Sequence, residues 1–92
     1  MAKVRIVLTE TLKKYYRKLP YEIQEKFDKQ YRFLHENPCH PSLKIHQIKG
    51  SKGFWEFYVD YRYRGVFRKE AEVYIIEAVG CHSIIEKYAK KK

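Results

Sequence analysis

Three consecutive segments between residues 54 and 79 alternate apolar with polar side chains, and this pattern restricts the folds that the chain can adopt. In the first, "FWEFYVDY", Trp55, Phe57 and Val59 point to one side of a predicted strand, because successive strand residues face opposite ways. The second, "RYRGVFRK", alternates in the same way, and the third, "EVYIIEAV", is apolar enough for the centre of a sheet. The short connections between them predict a meander of neighbouring strands.

The segment before this meander predicts a strand followed by a helical hairpin. Residues 3–8, "KVRIVL", are short, alternating and rich in β-branched side chains, which indicates a strand. Thr9 or Thr11 can cap the helix that follows, whose apolar face recurs at i, i+3, i+4 and i+7 until Pro20 ends it. Apolar spacings of four, four and three predict a second helix over residues 21–36, antiparallel to the first.

The remaining elements complete the prediction of the fold class. Residues 43–48 predict a strand and residues 50–53 a turn, and after Gly80 breaks the last strand the chain is expected to end in a short helix. The fold class is α+β: an N-terminal strand, a helical hairpin packed on a mostly antiparallel four- to five-stranded sheet, and a short C-terminal helix. We expect one domain over residues 1–92, with residues 90–92 as a frayed basic tail.

The charge balance points to an anionic partner. Twenty Lys and Arg face 11 Asp and Glu, a net charge of +9 that favours nucleic acid, an acidic protein or anionic lipid as the partner. Cys39 and Cys81 form no CxxC pair, and a metal site with His40 and His82 would have no recognised spacing. No cofactor or metal is expected. No segment approaches a signal peptide or a membrane span, so we expect a cytoplasmic protein with free thiols.

One face of the predicted sheet is polar, cationic and aromatic together. If the helical hairpin covers the face with Trp55 and Phe57, the opposite face presents Glu56, Tyr58, Arg64 and Arg68. This face could be a solvated surface that keeps the protein in solution, as in many antiparallel sheets. Alternatively it is an anion site, because guanidinium groups match phosphate geometry and tyrosines stack on unpaired bases. The pattern leaves both interpretations open.

Two histidines are candidates for proton transfer. His82 follows the predicted end of the last strand, and His46 lies in a predicted strand beside Lys44. An imidazole in such a place can take up and release protons near neutral pH. The alternative is that His82 only terminates the strand and that His46 is a half-buried strand residue.

Five short segments occur in an order that is similar to a known family. They are "NPCHPSL", "HQIKG", "WEFYV", "YRGVF" and "VGCH". With this order and spacing, nearly the whole chain, roughly residues 3–90, resembles the RelE/ParE superfamily of toxins from type II toxin–antitoxin pairs. The resemblance implies a helical hairpin on an antiparallel sheet with the active surface on the opposite face. It implies metal-independent mRNA cleavage on the ribosome in the RelE branch, or inhibition of DNA gyrase in the ParE branch, both silenced by an antitoxin.

The resemblance also implies roles for individual residues. Arg64 matches an arginine that holds the scissile phosphate, and Tyr88 matches a catalytic tyrosine of RelE itself. His82 matches a histidine after the last strand in several nuclease relatives, and His46 matches one before the turn in a histidine-rich subgroup.

Three positions depart from the pattern of the family. Glu56 and Tyr58 stand on the strand where RelE itself has two lysines, and other nuclease members often place a lysine or histidine at the Tyr58 position. Gly65 interrupts the arginine-bearing strand where a larger apolar residue is usual.

These observations predict a RelE-type mRNA endoribonuclease that inhibits translation. Its partners would be mRNA, the ribosome and an antitoxin, and it would be a monomer alone and a hetero-oligomer with the antitoxin, without contact to a membrane. The predicted catalytic residues are Arg64, His82, Tyr88, His46 and Glu56, and the predicted RNA-binding residues are Arg62, Arg68, Tyr58, Lys49 and Lys52. The alternatives are a ParE-like gyrase inhibitor, an inactive RelE-like binding protein and a stand-alone RNA-binding module.

Overall fold

One mixed sheet with helices on both faces forms the fold in the computed structural model, which describes residues 3–89. Its elements are β1 Arg5–Leu8, α1 Glu10–Arg17, α2 Tyr21–Glu36, a 3₁₀ turn Pro41–Leu43, β2 His46–Gln47, β3 Phe54–Asp60, β4 Tyr63–Glu70, β5 Val73–Cys81 and α3 Ile84–Ala89. The strand order is β1-β5-β4-β3-β2, with β1 parallel to β5 and every other pair antiparallel. The predicted α+β fold class is confirmed, while the predicted tail at residues 90–92 lies outside the described residues.

A capping threonine and a proline set the bounds of the two helices in the hairpin. The Thr9 hydroxyl caps α1 by accepting a hydrogen bond from the Leu12 N–H at 3.0 Å, so the first of the two predicted caps is the one used. Pro20 separates the helices, and α2 then runs over the predicted residues 21–36. α1 packs on β5 and α2 on β3, as predicted for this face of the sheet.

The main core lies between this hairpin and the sheet. It joins apolar side chains of both helices to the inner face of the strands, among them Leu12, Ile23, Phe27, Leu34, Phe57, Phe67 and Ile76. Burial of each large apolar side chain contributes about 1.5–3 kcal/mol, so this interface supplies most of the stability.

Gly65 is explained by the ring that covers it. Gly65 on β4 pairs with Phe57 on β3, and a Cβ at Gly65 would lie 2.2 Å from the Cε1 atom of the Phe57 ring. The Phe57 ring of β3 therefore occupies the space that a larger side chain at position 65 would fill. The strand continues through Gly65, so this glycine does not interrupt β4 as the sequence suggested.

The second face of the sheet is partly covered, which the sequence did not predict. Helix α3 places Ile84 and Tyr88 on this face, where they form a smaller core with Ile48, Val66 and Ala78. The expected open polar face is therefore divided: an apolar middle lies under α3, and polar side chains remain at its two ends.

Two predicted strand boundaries are wrong. The chain forms a 3₁₀ turn at Pro41–Leu43, and Lys44 then adopts a left-handed backbone (φ 47°), so β2 contains only His46–Gln47 instead of residues 43–48. β5 continues through Gly80, which pairs with Arg64, and ends at Cys81. Gly80 does not break the strand because Ile84 of α3 packs over it.

Candidate active site

A buried carboxylate lies at the centre of the polar end of the second face. Glu56 is only 6% exposed, and its Oε2 atom is 3.0 Å from Nε2 of His46. Its other oxygen, Oε1, is 3.6 Å from Nε of Arg64. Pairing between strands creates this arrangement, because His46 is opposite Glu56 and Tyr58 is opposite Arg64. We call His46, Glu56, Tyr58 and Arg64 the Glu56 cluster.

Both ring nitrogens of His46 face hydrogen-bond acceptors. Nε2 meets the Glu56 carboxylate, and Nδ1 lies 3.0 Å from the main-chain carbonyl of Lys44. The Glu56 carboxylate therefore lies between an imidazole and a guanidinium group.

The backbone of the β3–β4 connection holds Arg64 in place. Nη1 of Arg64 donates to the carbonyl oxygen of Asp60 at 2.6 Å and to that of Tyr63 at 3.0 Å. The strand register shifts between Tyr58 and Asp60, and such an irregularity turns the Asp60 carbonyl toward the guanidinium group. The group also lies 5.0 Å from the centre of the Tyr58 ring. Arg64 is thus oriented before any ligand binds.

Asp60 stabilises the connection that holds Arg64. Its Oδ1 accepts hydrogen bonds from the N–H groups of Arg62 (2.8 Å) and Tyr63 (3.2 Å), and Oδ2 is 3.3 Å from Nζ of Lys26. Burial raises the pKa of Asp60, but the Arg62 N–H and the Lys26 ammonium outweigh burial and leave this pKa below its usual value.

The lowered pKa of Asp60 predicts a stability loss in acid. As pH falls, Asp60 is protonated in the unfolded chain before it is protonated in the folded protein. The stability that the Asp60 carboxylate contributes is therefore complete above the ordinary pKa of Asp and is lost as pH falls through the lowered pKa of the folded state. Asp60→Asn keeps an oxygen that can accept hydrogen bonds from both N–H groups, but it loses the ion pair with Lys26. This loss should cost less than about 1 kcal/mol of folding stability at neutral pH. Urea unfolding across acidic pH should show a shallower pH dependence for Asp60→Asn than for the wild type. Identical pH dependence in both proteins would contradict this role of Asp60.

Several other predicted residues lie apart from the Glu56 cluster. Arg62 lies in the β3–β4 turn with its guanidinium carbon 5.0 Å from the centre of the Tyr61 ring. Lys49 and Lys52 are exposed on the connection between β2 and β3. His82 is exposed after β5, and its main-chain N–H donates to the Arg62 carbonyl at 2.9 Å.

Arg68 is committed to carboxylates at the other end of the face. Its Nε donates to Oε2 of Glu77 at 2.6 Å, and its Nη1 donates to Glu70. The hydrogen bond to Glu77 raises the pKa of Arg68. Arg68 lies four positions after Arg64, roughly 13 Å along a strand. The structure therefore does not bring the two arginines to one phosphate.

Tyr88 is buried, whereas stacking on a base would require an exposed ring. It is 4% exposed and meets the Phe54 ring edge-on at 5.0 Å between ring centres. Desolvation raises the pKa of Tyr88 to about 12. Phe54 and the second core cover the Tyr88 ring, which leaves no open ring face for a base, and the catalytic role of Tyr88 stays a prediction.

A basic pocket beside Tyr58 was missed by the sequence analysis. A cavity of about 240 Å³ lies between α2 and the edge of β3, and we call it the α2–β3 pocket. Lys26 and Lys29 line it from α2, and Tyr58 and Asp60 line it from β3. The sequence could have shown that Lys26 and Lys29 lie on one face of α2, because residues three apart are neighbours on a helix surface. Their position beside β3 depends on tertiary packing.

Two kinds of feature are absent from the described part of the chain. Over residues 3–89, no three His, Cys, Asp or Glu side chains gather in a way that could hold a metal ion. No helix within the same range has the length and apolar character needed to cross a membrane.

The structure is similar to those of toxins from toxin–antitoxin systems. No family model and no curated protein matches the sequence. YafQ from E. coli strain BL21(DE3) superposes with a TM-score of 0.72 at 15% identity, covering 90% of this chain and 98% of YafQ. The toxin–antitoxin complex RelBE2 from Mycobacterium tuberculosis gives 0.73 at 16% identity, with 88% and 100% covered. A mutant of the E. coli toxin RelE in the free state gives 0.70 at 19% identity, with 96% and 95% covered.

These similarities define the class of fold. The chain has the RelE-like fold, in which three helices pack on a five-stranded, mostly antiparallel sheet. The solved proteins that share it here are RelE, YafQ and YoeB toxins, so the fold implied by the resemblance to the RelE/ParE superfamily is confirmed.

Proposed function

We propose that this protein is the toxin of a type II toxin–antitoxin pair and a metal-independent endoribonuclease that cleaves mRNA on the ribosome. The observation that carries the proposal is the Glu56 cluster. It combines an oriented arginine, a buried carboxylate and an imidazole on the face opposite the helical hairpin. A sheet face that serves only solubility has no need of a buried carboxylate held between an imidazole and a guanidinium group.

The proposed reaction uses the 2′-hydroxyl of the RNA as nucleophile. The Glu56–His46 pair accepts the hydroxyl proton, the 2′-oxygen bonds to the adjacent phosphorus, and the bond from phosphorus to the 5′-oxygen breaks. A proton from His82 completes the leaving 5′-hydroxyl, and a 2′,3′-cyclic phosphate remains on the other product. Arg64 stabilises the charge that develops on the phosphorus oxygens, which is usually the largest contribution to such catalysis.

The geometry of the strands supports these roles. Arg64 is opposite Gly80 in the β4–β5 register, and His82 follows two residues later at the exposed end of β5. An exposed histidine there can approach the same phosphate from the side of β5, while Glu56 approaches it from β3. Two proton-transfer groups on opposite sides of one phosphate suit a reaction with one proton acceptor and one donor.

The proposed partners follow from charge and from the similar structures. A net charge of +9 suits docking on ribosomal RNA, with an affinity that falls steeply as salt rises. The similar structures include the complexes RelE–RelB from Pyrococcus horikoshii OT3 and DinJ–YafQ from E. coli. We therefore propose an antitoxin that covers the cationic face, a monomeric toxin when free and a cytoplasmic location.

A ParE-like inhibitor of DNA gyrase is the second candidate function. Glu56 and Tyr58 stand where RelE itself has lysines, and α3 covers part of the face that would bind RNA. Both features reduce the cationic surface available to a nucleic acid.

Pulse labelling of protein and DNA synthesis after induced expression separates the two functions. We expect protein synthesis to fall first in cells that express the wild type. His82→Ala should relieve the inhibition, because loss of one proton-transfer group costs about 10²–10⁴ in rate. His82 is exposed, so this variant should fold, and immunoblotting checks that both proteins reach the same level. Earlier loss of DNA synthesis would replace the nuclease proposal with the gyrase proposal, and no effect on either would refute both.

A further inference from the structure

The α2–β3 pocket adjoins the Glu56 cluster through a shared residue. Tyr58 lines the pocket and also lies 5.0 Å, ring centre to guanidinium carbon, from Arg64. Tyr58 therefore belongs to both the Glu56 cluster and the pocket. The cavity has a volume of about 240 Å³, and Lys29, one of its lining residues, is exposed.

The pocket exists because β3 lacks a neighbouring strand beyond Glu56. β2 pairs with β3 only at Glu56 and Trp55, so the edge of β3 from Tyr58 to Asp60 faces α2 and the 3₁₀ turn. Gln30 is 5% exposed and fixes this edge by donating Nε2 to the carbonyls of Tyr58 (2.8 Å) and Ser42 (3.1 Å). The walls are therefore set before a ligand enters, which lowers the entropic cost of binding.

The charges around the pocket leave one ammonium group available. Lys26 is held by the buried carboxylate of Asp60 at 3.3 Å, so its charge is balanced. Lys29 is exposed on the same face of α2, and Lys44 lies 4.8 Å from the centre of the Tyr58 ring. The pocket is thus positive on the side nearest Lys29, and its opposite side is formed at Tyr58, whose ring Lys44 also approaches.

We infer that the α2–β3 pocket binds the nucleotide next to the scissile phosphate, with Lys29 on the phosphate of that nucleotide. This inference rests on the proposed ribonuclease function and adds a second contact point for single-stranded RNA. A pre-formed cavity with a cationic rim and an aromatic wall matches the backbone charge and the flat faces of a nucleotide. The RNA would then run from Arg64 over Tyr58 to α2.

The salt dependence of RNA binding tests this inference. Fluorescence anisotropy would measure the affinity for a short 2′-O-methyl RNA of mixed sequence, which has no nucleophilic hydroxyl and cannot be cleaved. Lys29→Ala should weaken binding about fivefold. It should also make the slope of log K against log salt less negative by about 0.7, which corresponds to one lost phosphate contact on a single strand.

A matched variant separates a specific contact from a general loss of charge. Lys14→Ala removes the same charge from an exposed position on α1, outside the pocket, and should leave the slope unchanged. If Lys29→Ala and Lys14→Ala behave alike, or if the wild type does not bind the modified RNA, the inference is wrong, although the ribonuclease proposal survives when the wild type cleaves mRNA on programmed ribosomes. If the wild type also leaves that mRNA uncut, the proposed function fails as well.

Discussion

Arg64→Ala should lower the rate of mRNA cleavage on programmed ribosomes about 10²–10³-fold. Two main-chain carbonyls fix the position of the Arg64 guanidinium group, that of Asp60 at 2.6 Å and that of Tyr63 at 3.0 Å. A donor that is oriented in advance pays no reorganisation cost as charge develops on the phosphorus, and removal of one such donor has an effect of this size. Single-turnover cleavage of a labelled mRNA bound to programmed ribosomes, with saturating enzyme, measures the effect on the chemical step.

Arg68→Ala is the matched control for Arg64→Ala. The two arginines lie on the same strand, but Arg68 is paired with Glu77 and Glu70 at the far end of the face. Its loss should lower the free energy of unfolding and leave the single-turnover cleavage rate within about threefold of the wild type. Equal losses of cleavage in both variants, with both proteins folded, would show that net charge and not the position of Arg64 matters.

Gly65→Ala should lower the free energy of unfolding by about 3 kcal/mol, the upper end of the range for overpacking a core. The added Cβ would lie 2.2 Å from two atoms of the Phe57 ring, which is fully buried between Phe27 and Phe67. The ring cannot move away without displacing its neighbours. Urea unfolding measures the loss, which is a large part of the 5–15 kcal/mol that is typical of a domain.

Two further variants test the cause of the Gly65→Ala effect. Gly80→Ala places a methyl group in the same sheet at 3.6 Å from Ile84, an ordinary contact, so its cost should stay within about 1 kcal/mol. Combining Gly65→Ala with Phe57→Leu should cost less than the sum of the single changes, because the smaller side chain removes the clash. Additive costs would mean that Gly65 is required for a reason other than the Phe57 ring.

Local patterns in the sequence were sufficient to predict the helices and the pairing of β3, β4 and β5. Apolar spacing and Pro20 predicted the hairpin, with the bounds of α2 at residues 21–36. Alternation correctly placed Glu56, Tyr58 and Arg64 on the face opposite the hairpin. Gly80 misled the prediction because tertiary contacts outweigh the weak strand preference of glycine: Gly80 pairs with Arg64, and Ile84 packs over it.

Which side chains reach the candidate site depends on tertiary contacts, and the alternation of apolar and polar residues along a strand does not predict these contacts. The register shift between Val66 and Phe67 brings Glu77 to Arg68, and no local pattern predicts where such a shift occurs. The burial of Tyr88 depends on which face α3 packs against, since a short amphipathic helix can pack on either. Roles for individual residues of the Glu56 cluster remain predictions, which the cleavage and labelling experiments address.

The parallel pairing of β1 with β5 has a consequence for how the protein folds. The Thr9 hydroxyl donates to the Ile76 carbonyl across 67 residues of sequence, where β1 docks beside β5. Contacts of such high sequence separation slow folding, because the entropic cost of closing the intervening chain comes before the contacts form. A nascent chain whose β5 is still inside the ribosome has no partner strand for β1. We therefore expect the sheet, and the face it presents, to be completed only after β5 has left the ribosome.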